Sequence, residues 1–304
     1  GNVTLRATAS DIKLSGQATA ATAITVDGKI TGGTVSITAT STAVSSFLNG
    51  SAVGELALVG SRVAASLLGL NGGYVAASAT ATININSHAD INGRGDVTIS
   101  AHATETASDP AVASTLLGSL TPVAAGVVVG KIDGNVTTNI ASGATINAGG
   151  NLEIKALNDA TIAVSALAAS TSAQIVPTVA YSRGSVTTTA NVETGAHLAA
   201  GLVNTSGSTL KIRAINNNSF STSATSVAAP GTGASGAVGG ALAISDITTS
   251  VTATLGASLG TDTANRMNGS VLVEATSDTT SNSTMASSIA VIRLLMSARS
   301  NGVI

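Results

Sequence analysis

The sequence predicts an all-β repeat chain, a β-solenoid, and three observations carry that reading. One seven-residue phrase, Gly150-Asn151-Leu152-Glu153-Ile154-Lys155-Ala156, returns reworded along the whole chain. Inside it, apolar and polar residues alternate with a period of two, the pattern of a half-buried strand. The composition suits thin, closely spaced sheets: 44% of the 304 residues are AVILMFWYC, 1% are aromatic, 9% are charged and 33 are glycine.

The copies start near residues 1, 33, 95, 150, 208 and 269. They read Gly1-Asn2-Val3-Thr4-Leu5-Arg6-Ala7, Gly33-Thr34-Val35-Ser36-Ile37-Thr38-Ala39, Gly95-Asp96-Val97-Thr98-Ile99-Ser100-Ala101, the Gly150 copy, Ser208-Thr209-Leu210-Lys211-Ile212-Arg213-Ala214, and Gly269-Ser270-Val271-Leu272-Val273-Glu274-Ala275. Their first apolar residues are 32, 62, 55, 58 and 61 positions apart. Self-similarity at a nearly fixed period marks a repeat architecture. The length alone would suggest about two domains. The repeats instead make residues 1–304 a single solenoid segment of about five imperfect units. The chain opens inside a repeat, so it reads as a section of something longer.

A Thr-rich alternating segment precedes each phrase. Ala81-Thr82-Ile83-Asn84-Ile85 leads through Ala89-Asp90-Ile91 to the Gly95 copy. Val136-Thr137-Thr138-Asn139-Ile140 leads through Ala144-Thr145-Ile146 to the Gly150 copy, and Val186-Thr187-Thr188-Thr189-Ala190 and Val251-Thr252-Ala253-Thr254-Leu255 follow suit. Extra residues at 199–207 and 260–268 read as insertions at one corner, where stacked coils tolerate them.

The remainder of each unit varies. Short helices are predicted at 55–70, from the spacing of Leu56, Val59, Val63 and Leu67, and at 109–118, where Asp109-Pro110 reads as an N-cap with Pro at the first helical position. Lys131-Ile132-Asp133-Gly134-Asn135 reads as a solenoid corner in preference to a hairpin turn. A coil of about 20 residues then gives roughly three coils per unit. Some 15 coils at about 4.8 Å each make a rod about 70 Å long.

Three segments carry a resemblance: the Gly-Asn-Leu-x-Ile-x-Ala phrase, its lead-in from Gly143 to Gly150, and Gly236 to Ile244. They resemble the repeats of filamentous-haemagglutinin-like and leukotoxin-type filamentous adhesins, which are very large secreted bacterial surface proteins. The likeness covers nearly the whole chain through degenerate motifs. It implies a right-handed parallel β-helix shaft, export to the bacterial cell surface, and a role in adhesion or as a spacer. It implies no catalytic residues, and a partner of the kind of a host-cell or neighbouring-cell receptor or glycan.

The residues themselves point away from several chemistries. A net charge of −2 offers no basic face for nucleic acid. Two Tyr and two Phe cannot build the aromatic girdles of an outer-membrane barrel. The uncharged run from Ala160 to Ser182 is rich in Ser and Thr and is interrupted by Pro177, so no membrane-spanning helix is expected. No metalloprotease, P-loop, nucleophile-elbow or calcium-loop motif occurs, and neither catalysis, a metal nor a cofactor is expected. His88, His102 and His197 each read as solitary.

A carbohydrate-active β-helix enzyme stays as an alternative; its nearest acids are Asp90 and Asp96, with Arg94 between them. The Thr segments suggest an ice-binding face, but once per three-coil unit is too sparse for one. Arg94-Gly95-Asp96 is an integrin-type tripeptide and the one candidate cell-attachment site, although Gly95-Asp96 also fills the ordinary turn slot of the repeat. Glu153, Lys155, Lys211, Arg213 and Glu274 are expected to face solvent. A self-assembling filament or surface-layer subunit is a further alternative. Neither Gly1 nor the apolar stretch 288–296 reads as a cap, so end-to-end association is expected.

Overall fold

The computed structural model describes residues 1–14, 16–46, 70–115, 124–170, 175–201, 207–228, 238–257, 259 and 269–286. Every regular element among them is a β-strand. The strands are β1 (Val3–Lys13), β2 (Gly16–Val26), β3 (Lys29–Gly32), β4 (Val35–Ser46), β5 (Leu70–Ile85), β6 (Asp90–Gly93), β7 (Val97–Thr115), β8 (Ala125–Ile140), β9 (Thr145–Ala148), β10 (Leu152–Ser170), β11 (Ile175–Val192), β12 (His197–Ala200), β13 (Ser208–Ala228), β14 (Val238–Leu255) and β15 (Gly269–Ala286).

They form three sheets, and every strand pairing is parallel. Sheet A has the order β1-β4-β7-β10-β13-β15, sheet B β14-β11-β8-β5-β2, and sheet C β12-β9-β6-β3. The chain visits A, then B, then C, and returns to A beside the strand it left. One such circuit therefore consumes a whole sequence repeat. Val97 pairs with Leu152, which pairs with Leu210, which pairs with Val271, so the repeat phrases lie directly side by side.

This corrects the expectation of three coils per repeat. Lys131 to Asn135 is neither corner nor hairpin: β8 runs straight through it, with Ile132 and Gly134 buried and Lys131 and Asp133 turned outward. Alternation is unbroken there, and no residue requires a bend. The sister segments lie inside β11 and β14 in the same way. Six strands of sheet A span only about 24 Å across the stack, not about 70 Å. The short first interval is a complete circuit with shorter strands: β1 and β2 have 11 residues each.

The helix expected at 109–118 is also overturned. Strand β7 continues to Thr115, and Asp109 points inward and is fully buried. Pro110 lies within the strand opposite Ser165 of β10, and among the described residues β4 pairs with β7 only as far as Ser108, so no described partner on that side requires the N–H that Pro110 lacks. Residues 116–118 of that expectation, positions 55–69 of the other predicted helix, and the stretch 288–296 lie outside the described residues.

Inward side chains form rows across successive circuits. Ile37, Ile99, Ile154 and Ile212 make one row in sheet A, and Ile91, Ile146 and Leu198 make one in sheet C; all are buried. Fully burying such a side chain stabilises by about 1.5–3 kcal/mol. Sheets A and B pack face to face, and glycines in B leave room for large side chains in A. A Cβ on Gly130 would meet Val164 at 2.6 Å, and one on Gly184 would meet the Phe220 ring at 2.9 Å. Gly143 and Gly195, at φ of 85° and 90°, close the four-residue turns between sheets B and C, a conformation costly for other residues.

Val271 and Val273 belong by register to the same inward rows, yet both are 43% exposed. Among the described residues β15 is the outermost strand of sheet A, and no sheet B strand of its own circuit faces it. No helix of the described residues is long and apolar enough to cross a membrane.

Candidate functional site

The C-to-A corner carries the tripeptide, and the repeat explains its local form. Backbone bonds continue through the corner from circuit to circuit: Arg94 N donates to Gly32 O at 2.9 Å, Gly95 N to Gly33 O at 2.6 Å, and Gly150 N to Gly95 O at 3.1 Å. At three of these corners the residue before the sheet A strand adds a side-chain rung. Asn2 Oδ1 accepts from Thr34 N at 3.0 Å, Asp96 Oδ1 from Asn151 N at 2.7 Å, and Asn151 Oδ1 from Thr209 N at 3.0 Å. These are Asx-type bonds turned toward the neighbouring circuit. Asp96 Oδ1 lies close to where a Cβ of residue 150 would be, so a side chain there would push the Asp96 carboxylate off its rung.

Arg94 and Asp96 are both exposed, with Gly95 half-buried between them. They open onto different shallow depressions. Arg94 borders one with Gly1, Thr31, Gly32 and Gly33, while Asp96 borders another with Thr98, Asn151, Glu153, Thr209 and Lys211. The other acid of the enzyme alternative, Asp90, is engaged elsewhere: Lys29 Nζ lies 3.3 Å away, and Asn92 donates to it at 2.5 Å.

The outward face of sheet A is charged, as expected. Arg213 lies 2.7 Å from Glu274 and 3.8 Å from Glu153, and that pairing together with Thr276 holds the Glu274 carboxyl below its usual range. Two histidines expected to be solitary are not. His102 Nε2 is 2.7 Å from Asp159 Oδ2, and His88 is 3.4 Å from Asp27. Thr104 Oγ1 also approaches His102 through the same Nε2, at 3.4 Å. A base relay needs opposite ring nitrogens for the nucleophile and the orienting carboxylate, so this cluster has the groups of a relay without its geometry. The pair was legible in principle, because a 55-residue offset puts Asp159 beside Thr104.

Alternation in the repeat phrase put Val97, Ile99, Leu152, Ile154, Leu210 and Ile212 in one core, where they are buried, but the polar residues of the interior were missed. Continuing the alternation of β7 past Ala101 places Ala103, Glu105, Ala107 and Asp109 on the inward face, and all four are buried. Asn158, Asn216, Asn218, Thr138 and Thr188 join them from other strands. Burial pushes the Glu105 carboxyl up to about 8, against the opposing bond from Asn158. Thr138 donates to Lys155 O at 2.7 Å across the two layers, and Thr188 donates to Asn216 Oδ1.

The Thr rows of sheet B also need a correction. With one circuit per repeat, Thr82, Thr137, Thr189 and Thr252 stand on successive strands, facing outward in one row. The sparseness argued against an ice-binding face is therefore gone. A flanking row of Asn84, Asn139, Asn191 and Thr254 is partly consumed by its own bonds. Asn191 donates to Asn139 at 2.7 Å, and Asn139 donates to Glu193 at 3.0 Å.

Among the described residues no group of three His, Cys, Asp or Glu side chains is placed to hold a metal ion. No protein-family model, curated protein or solved structure matches the chain.

Proposed function

We propose that this chain is a shaft section of a large exported bacterial surface protein, a right-handed parallel β-helix whose work is structural and adhesive. The observation that carries the reading is the in-register stacking of whole repeats, β1 through β15, with backbone bonds running from circuit to circuit at the Arg94-Gly95-Asp96 corner and Asx rungs from Asn2, Asp96 and Asn151 beside them. Such a stack grows by adding circuits and sets a fixed distance between whatever lies at its two ends. Its outward faces carry exposed side chains to a receptor or glycan, and the tripeptide corner is the attachment point this reading favours. Immobilised chain offered to cells tests it. Attachment should occur and be lost in Asp96→Asn, whose amide oxygen keeps the corner bond. Absence of attachment by the unaltered chain would leave only the spacer role.

A second reading has its own observation. Val271 and Val273 expose an inward-type face on β15, and among the described residues β1 at the opposite edge of sheet A is paired on one side only. Both edges suit addition of another strand, which makes a self-assembling filament the runner-up. Electron microscopy of the purified chain separates the two, since isolated particles at all concentrations count against filaments.

A further inference from the structure

Glu105 is fully buried on the inward face of β7, in line with Ala43 of β4 and Ala160 of β10. Its side chain meets Asn158, whose Nδ2 donates to Oε1 at 3.1 Å. From the opposite sheet Gly134 closes over the pair. A Cβ there would lie 2.6 Å from Asn158 Nδ2 and 2.9 Å from Glu105 Oε1. The atoms left over are informative. Glu105 Oε2 and Asn158 Oδ1 are both buried and both without a partner. Each is an acceptor, so a carboxylate here would leave two oxygens in a dry interior with nothing to accept from. A single proton resolves both.

Among the described residues no base faces the pair: His102 of β7 and Lys155 of β10 both lie on the outward faces of their strands. The only other buried charged-type residue among those described is Asp109, on the same strand. β4 and β5 contain no charged residue, Asp159 on β10 is acidic, and Lys131 and Asp133 of β8 pair with each other on the outer face at 2.5 Å.

We propose that Glu105 is kept as a neutral carboxylic acid that closes a two-bond ring with the Asn158 amide, and that loss of this proton is an alkaline switch loosening the middle of the stack. In the ring, Oε2–H donates to Asn158 Oδ1 while Asn158 Nδ2–H donates to Oε1. The proton goes to solvent hydroxide or buffer when the ring opens, and no other bond changes.

The sign follows from linkage. The group's ordinary value is 4.5 and its folded value about 8. Between those limits the folded chain holds a proton that the unfolded chain has released, so stability is full below about pH 4.5, falls as pH rises, and levels off above about 8. Denaturant unfolding of the whole chain from pH 5 to pH 9.5 reads this out, with Glu105→Gln beside it. Glutamine can make the same ring with no titrating proton. The folded-to-unfolded ratio of the unaltered chain should drop about tenfold per pH unit relative to Glu105→Gln up to about pH 8. Parallel profiles would overturn the proposal. Infrared spectroscopy of the unaltered chain at pH 7 decides the matter independently if Glu105→Gln does not fold. A protonated-carboxyl band that disappears on raising the pH supports the ring, and a spectrum without that band overturns it.

Discussion

At the scale of single residues, inward and outward positions of one strand should behave oppositely. Ile154 is fully exposed to the core and closed to solvent, while Lys155 beside it faces outward. Ile154→Ala should cost about 2–5 kcal/mol, and Lys155→Ala should stay within about ±0.5 kcal/mol. Urea denaturation measures both, and equal costs would refute the assignment of faces. The corner offers a second contrast. Asp96→Asn retains an oxygen to accept from Asn151 N and should leave stability unchanged, as Asn already does at positions 2 and 151. Asp96→Ala removes the acceptor and should cost about 0.5–1.5 kcal/mol. If the asparagine variant were as unstable as the alanine one, the bond would depend on charge and not on the repeated rung.

At the scale of elements, the two long sheets are fitted to each other through glycine. Gly184→Ala forces a methyl to within 2.9 Å of Phe220 and should destabilise by about 1–3 kcal/mol. Pairing it with Phe220→Leu should return part of that loss, a coupling readable by a double-mutant cycle. Gly28→Ala meets nothing within 4 Å and serves as the neutral control. Additive effects at 184 and 220 would show that the sheets do not meet there. The same fit explains what was legible in the sequence. Strand positions and their faces followed from alternation, which is local, and so did the outward charges at Glu153, Lys155, Lys211, Arg213 and Glu274. The length of a circuit did not follow, because Lys131 to Asn135 has turn-forming composition and only its partners across the sheet keep it extended. Asp109-Pro110 misled for a similar reason: a helix-start signal lost to pairing along one edge of β10. The tripeptide corner was visible as a motif, but its rung to Asn151 required the register. Glu105 escaped notice because a lone acid in an alternating strand is usually on the wet face, and here the phase of the alternation put it inside.

At the scale of the whole molecule, no strand among the described residues pairs with the outer edge of β1 or of β15. The isolated chain should therefore associate head to tail, a contact that does not close into a ring. Light scattering over a concentration series should show mass rising steadily above 29.2 kDa. A constant monomer mass at high concentration would mean that both edges are covered. The central claim, however, is that one sequence repeat makes one circuit. Thr8, Thr40, His102, Leu157, Ile215 and Thr276 occupy a single outward row of sheet A. The chain has no cysteine, so Thr8→Cys and Thr276→Cys give two unique spin-label sites. Five strand steps predict a backbone separation of about 24 Å, and pulsed electron paramagnetic resonance should report a distance near that value. A distance near about 70 Å, as roughly three coils per repeat would require, would contradict the account.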